Sequence, residues 1–116
     1  MLPNEETFLV KSKIWIEDTQ GNVVFGRGRF VILDAIDRLG SLQAAAKDLR
    51  MSYRAVWCRV KASEERLGKA LVVRDGRGSR LTSHAKKLMK QFKRLQAVVE
   101  KESDEVYDDL VSGFMK

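Results

Sequence analysis

Two apolar rhythms meet and break in residues 41–57, SLQAAAKDLRMSYRAVW. Leu42, Ala45, Ala46 and Leu49 fall at i, i+3, i+4 and i+7, one face of a short helix. Arg50 and Met51 are good helix formers and would extend it. Ser52, a favoured N-cap, follows instead, and Val56, Val60 and Leu67 begin a second rhythm. A chain that ends one helix after two turns and restarts within three residues predicts a helix-turn-helix. The first helix is short because it only braces the second. The second is a separate rod, free to enter a DNA major groove with its N-terminal residues at the base edges. Ala45 and Ala46 are small where the two rods cross.

Charge points the same way. The 116 residues carry a net +6, but residues 27–94 hold 18 Lys/Arg against 6 Asp/Glu, a local +12, while residues 1–26 sum to −2 and residues 95–116 to −4. A central basic block attracts polyanions, nucleic acid first and acidic membrane surfaces or acidic proteins second, and is otherwise a solvated surface. An apolar content of 44% fits one globular domain. No apolar run approaches the length of a membrane span, and MLPNEETFLVKSK is acidic where a signal peptide is basic. A cytoplasmic protein is expected. One cysteine, Cys58, with one histidine, His84, allows neither an intramolecular disulfide nor a structural zinc site.

Along the chain, residues 1–8 are expected to be disordered. LVKSKIWIE (9–17) reads as a half-buried strand, with Val10, Ile14 and Ile16 facing one way and Lys11, Lys13 and Trp15 the other. DTQGN turns it into a return strand at 23–25. A helix at 29–39 carries Phe30, Ile32, Leu33, Ile36 and Leu39 on its apolar side and stops at Gly40, with Ser41 as the next N-cap. The second helix of the pair ends at Gly68. LVVRDGRGSRLT (71–82) is a hairpin with a basic, glycine-hinged tip: either an ordinary turn, or a wing reaching adjacent DNA. Thr82 or Ser83 caps a long last helix, in which Ala85, Leu88, Phe92, Leu95 and Val99 repeat at 3, 4, 3, 4; Glu102 interrupts the stripe and Val106 restores it. The fold class is mostly α (α+β). Its parts are a winged helix-turn-helix domain at 9–82 with an N-terminal hairpin, and a dimerisation helix with an acidic tail at 83–116.

Phased at 100° per residue, helix 52–67 turns Val56, Val60, Ser63 and Leu67 inward. Arg54, Cys58, Lys61 and Glu65 face outward, with Tyr53 and Trp57 on one flank. Arg54 suits a guanine edge, and Lys61 a phosphate. Trp57 either seals this helix against the first or faces DNA; Tyr53 either lies on the domain edge or does the same. Cys58 has no neighbouring base to activate it and simply lines the groove. The candidate DNA contacts are Ser41, Gln43 and Lys47 from the bracing helix; Ser52, Tyr53, Arg54, Trp57, Cys58 and Lys61 from the reading helix; Arg77, Ser79 and Arg80 from the wing; and Lys86. Gly76 and Gly78 would let backbone approach phosphate. The candidate dimer interface is Ala85, Leu88, Phe92, Leu95, Val99 and Val106.

FGRGRFVILDAIDRLGSLQAAAKDLRMSYRAVW (25–57), with LVVR…GSRLTSHAKKLM (71–89), resembles the N-terminal DNA-binding domain of molybdate-responsive ModE-type bacterial regulators. More distantly it is similar to the LysR-type winged helix. The resemblance covers about residues 11–110, and GSLQAAAKDL, MSYRAVW and the Leu81-Thr82 pair are its most specific parts. It implies a homodimeric transcription regulator on double-stranded DNA, with the long helices as the dimer interface. The family's oxyanion-binding domains lie C-terminal to this one and the chain ends at Lys116, so no molybdate site is expected, and no cofactor or metal is implied. Arg50 stands where such turns carry Gly, so the turn either strains or holds a left-handed non-glycine residue. Ala85 stands where relatives often have Gly.

A winged-helix module that binds another protein is the competing reading; it has no need of the basic centre. An enzyme is not expected. His84 is isolated, no carboxylate pair sits in a glycine-lined loop, and there is no phosphate-cradling GxxxxGK[ST].

Overall fold

The computed structural model describes residues 8–115. Among them the order is β1 (Trp15–Glu17), β2 (Val23–Gly26), α1 (Arg27–Leu39), α2 (Leu42–Asp48), α3 (Tyr53–Leu67), β3 (Val72–Asp75), β4 (Gly78–Leu81) and α4 (Ser83–Leu110), closed by a π-helical turn, Val111–Met115. Trp15–Gln91 form one compact unit. The chain before Trp15 and after Gln91 forms a second, and α4 runs through both.

β1 and β2 pair antiparallel with a bulge at Ile16/Glu17. The turn between them is organised by Asp18, whose Oδ1 accepts the Gln20 and Asn22 N–H groups at 2.9 Å each. The expected strand at 9–17 shrinks to three residues, all exposed. An isolated two-stranded ribbon has an outer face, so Ile16 meets solvent instead of the core. Of the expected disorder at 1–8, all but Phe8 lies outside the described residues.

The core of the first unit is Phe25, Ile32, Leu33, Ala35, Ile36, Ala45, Val56, Val60, Leu71, Leu81 and Ala85. The inward face expected for α3 holds: Val56, Val60 and Ser63 are buried. Ser63 is tolerated there because its Oγ donates to the Val24 carbonyl at 2.7 Å. Gly40 (φ +80°) ends α1, and the Ser41 Oγ caps α2 by accepting the Ala44 N–H at 3.0 Å.

The break at 49–52 has a specific geometry. The Met51 N–H bonds the Ala46 carbonyl at 2.9 Å and the Arg50 N–H bonds Lys47 at 3.3 Å. This is a Schellman C-cap, with Arg50 in the left-handed position that glycine usually takes. Arg50 has φ +56°, the one positive φ among described non-glycine residues. Holding it costs about 1–2 kcal/mol. Ser52 then caps α3 by accepting the Ala55 N–H at 3.0 Å. Helix, tight turn, helix and β3–β4 hairpin make a winged helix-turn-helix.

The hairpin is docked by backbone. Gly76 takes φ +60° at the turn. Gly78 does different work from the phosphate approach expected for it. A Cβ there would lie 2.2 Å from the Gly40 carbonyl oxygen, and that same oxygen accepts the Ser79 N–H at 2.7 Å. Gly78 is glycine because the wing presses on the α1–α2 corner. Gly78→Ala should therefore destabilise the domain by about 1–3 kcal/mol, as overpacking does. Gly76→Ala instead strains only the turn. Urea unfolding of the two variants measures both effects.

Candidate nucleic-acid interface

α3 presents its first two turns to solvent. Tyr53 is 54% and Trp57 45% exposed, and Ser52, Arg54 and Cys58 are exposed beside them. Trp57 therefore does not seal the helix pair; Ala45, Ala46 and Val56 do. On one flank of α3 lies a cleft of about 510 Å³ between α2, α3 and the wing. Ser41, Gln43, Tyr53, Trp57, Lys61, Arg77 and Ser79 line it, which gathers these candidate residues from three elements. Lys47, Arg54, Cys58, Arg80 and Lys86 are exposed outside it. The cleft also contains Arg74, overlooked in the sequence although it follows the apolar pair Val72-Val73 on the wing strand.

Lys61 is more constrained than a free phosphate contact. Its Nζ is 3.0 Å from Glu64 Oε1 and 5.9 Å from the centre of the Trp57 ring. The other carboxylate oxygen, Glu64 Oε2, accepts the Leu71 N–H at 2.7 Å and the Val72 N–H at 3.2 Å. A single side chain thus ties α3 to the first strand of the β3–β4 hairpin. The helix phase hid this role: Glu64 lies between the inward and outward faces, and its partners are backbone groups that no side-chain pattern displays.

Thr82 closes the wing's far end. Its Oγ1 donates to the Ala70 carbonyl at 2.7 Å and accepts the Ala85 N–H at 3.1 Å, so Thr82 is the cap of α4. Of the stripe expected to meet a partner, Ala85 and Phe92 are already buried within the single chain. Covered residues cannot supply much new contact. The large exposed apolar residues of α4 are Leu95 (48%), Val98 (59%), Val106 (65%) and Leu110 (41%).

Among the described residues, no group of three or more His, Cys, Asp or Glu is arranged to hold a metal ion, and no helix is long and apolar enough to cross a membrane.

The profile of the family "Bacterial regulatory helix-turn-helix protein, lysR family" matches residues 28–86. The chain belongs to that family. It is 30% identical over 84 residues to the molybdenum transport protein ModE of Azotobacter vinelandii, covering 68% of this chain and 31% of that protein. It is 35% identical over 81 residues to the molybdenum-pterin-binding protein MopB of Rhodobacter capsulatus, covering 66% and 30%. Among solved structures, full-length CbnR complexed with its target DNA matches with a TM-score of 0.56 at 25% identity, covering 69% of this chain and 28% of that one. The chain spans about a third of the length of these relatives.

The Glu64 contacts carry a pH dependence. Burial alone would raise its pKa, but the Leu71 N–H, Lys61 and the Val72 N–H together hold it below the ordinary carboxylate value of 4.5. A depressed folded pKa contributes stability that is present above the unfolded value and is lost as pH falls through the folded one. The domain should therefore lose stability on acidification below about pH 4.5. Glu64→Gln should flatten that part of the curve in thermal melts between pH 6 and 3.

Proposed function

We propose that this chain is a sequence-specific DNA-binding transcriptional regulator. In this reading α3 lies in the major groove, the β3–β4 wing lies on adjacent DNA, and two copies act together through α4. One observation carries it. The first turns of α3 expose Tyr53, Arg54 and Trp57 instead of burying them, beside a cleft edged by Arg74 and Arg77. Large aromatic rings left in solvent next to a basic wing are a surface built to be covered by an anion-bearing, π-faced partner. Family membership, the central +12 charge and a relative solved on its target DNA support the same reading.

Selection of bound sequences from a random duplex pool, followed by footprinting, tests DNA recognition and identifies the operator. A pool that never converges, with no retention on heparin, would favour a protein-binding module instead. For a dimer making six to ten phosphate contacts, affinity should fall with salt at a log–log slope of about −5 to −9.

Base reading and backbone holding should separate by mutation. Arg54→Ala should cost about 1–3 kcal/mol on the operator and little on scrambled duplex. Arg80→Ala should weaken both similarly and lower the salt slope by about one. Anisotropy titrations on the two duplexes, at two salt concentrations, make the distinction.

The dimer reading rests on the apolar stripe of α4 where the chain leaves it uncovered, at Leu95, together with the exposed Val98 beside it. Leu95→Glu with Val98→Glu should yield monomers in sedimentation velocity without loss of helix content, because both positions are exposed. A double variant that still dimerises would move the interface to the N-terminal hairpin.

A further inference from the structure

The flank of α3 opposite the cleft carries a second concentration of charge. Arg59 follows Trp57 by two residues, about 200° further round the helix, and Arg66 repeats its position two turns on. Arg29, in the first turn of α1, is half-buried, and its Nε is buried with no hydrogen-bond partner among the described residues. Burial disfavours the Arg29 charge first, and the neighbouring Arg59 and Arg66 disfavour it further. Among the described residues none of the three makes an ion pair with a carboxylate. Arg59 donates only to the Ala55 carbonyl of its own helix, at 3.3 Å, and Arg66 to the Val23 carbonyl.

Asp18 lies close enough to Arg66 to feel its charge. Three guanidiniums against one carboxylate still leave an excess of positive charge that opposes folding, so packing alone does not account for them. We propose that Arg29, Arg59 and Arg66 form a second phosphate-binding site, which grips the wall of the major groove opposite the wall met by the wing. The inference rests on the DNA-binding reading and extends it. A helix lying in a groove about 12 Å wide has a sugar–phosphate wall on each flank. The cleft side is served by Ser41, Gln43 and the wing arginines. On the other flank stands this cluster. Guanidinium forks match phosphate oxygens in pairs, and an arriving phosphate would neutralise the positive charge left over after Asp18. None of the three residues reads a base, so the site adds affinity and fixes the helix's roll in the groove without adding sequence preference.

The test uses the full chain on its selected operator. Arg59→Gln is the deciding variant, because Arg59 is exposed and its one bond is to its own helix. It should weaken operator and scrambled duplex by equal factors and lower the salt slope by about one. Phosphate-ethylation interference should lose contacts on the strand wall away from the wing and keep those at the wing. Arg29→Met provides a second readout: removing a desolvated, repelled charge should leave the melting temperature unchanged or higher while DNA affinity drops. If Arg59→Gln binds with the wild-type slope and an unaltered interference pattern, while Arg54→Ala still loses operator preference, the cluster proposal is wrong and the DNA reading survives. If the wild-type chain binds no duplex at all, both fall.

Discussion

The Glu64 carboxylate fixes where the β3–β4 wing stands relative to α3. One oxygen receives two consecutive backbone N–H groups from the start of β3, and the other holds Lys61. A buried or half-buried carboxylate is stable only with such donors. Here the donors come from the segment whose position matters. The same residue's backbone carbonyl accepts the Gly68 and Lys69 N–H groups, at 2.8 and 3.2 Å, which end α3. Helix stop and wing start are thus set by one residue. The Lys61 held by this carboxylate sits over the Trp57 ring, so wing, acid, base and exposed aromatic form one chain of contacts. Displacing any member shifts the floor of the cleft.

A second docking point, made of backbone, removes the remaining freedom. The Gly40 carbonyl meets the Ser79 N–H and the bare face of Gly78. Carboxylate and carbonyl hold the hairpin at its two strands, one from α3 and one from the α1–α2 corner. A two-stranded hairpin is marginal by itself in water. It is orderly here because Leu71 and Leu81 are buried beneath it and because both strands are tethered. Arg74 and Arg77 can then project from a stiff support, which favours affinity by lowering the ordering cost on binding.

Much of this was legible in the sequence, for physical reasons that differ by element. The helix pair could be read because its apolar period and its caps agree: Ser41, Gly40, Ser52 and Gly68 each act as their residue types favour. The inward set Val56, Val60 and Ser63 followed from phase alone. The N-terminal strand was over-read, since alternation of apolar and polar residues marks a half-buried sheet only when a second layer covers it, and β1 has none. A heptad pattern says that a face is apolar, not what covers it, and the chain's own packing claims Ala85 and Phe92. Glu64, Gly78 and the arginine cluster were missed because their meaning lies in contacts between segments distant in sequence. Arg29 and Arg59, for instance, are thirty positions apart, and no local spacing joins them.

The departures from local rules gather around one helix. Arg50 accepts a left-handed backbone just before α3. Tyr53 and Trp57 leave aromatic area in water on its first turns. Arg29 keeps a half-buried guanidinium repelled by Arg59 and Arg66 of that helix. Each opposes folding, and each would be easy to relieve with Gly, a smaller residue, or Met. Stability alone does not select such residues, and departures of this kind concentrate where a surface has work to do. The Schellman turn shows how the cost is contained. Two backbone hydrogen bonds and the Ser52 cap hold Arg50 in place, so the strain is confined to the link that sets the direction of α3. In the proposed complex, that direction decides which side chains lead into the groove. A glycine would give the same turn more freedom, whereas an arginine limits its motion and adds a positive charge beside the helix's leading end.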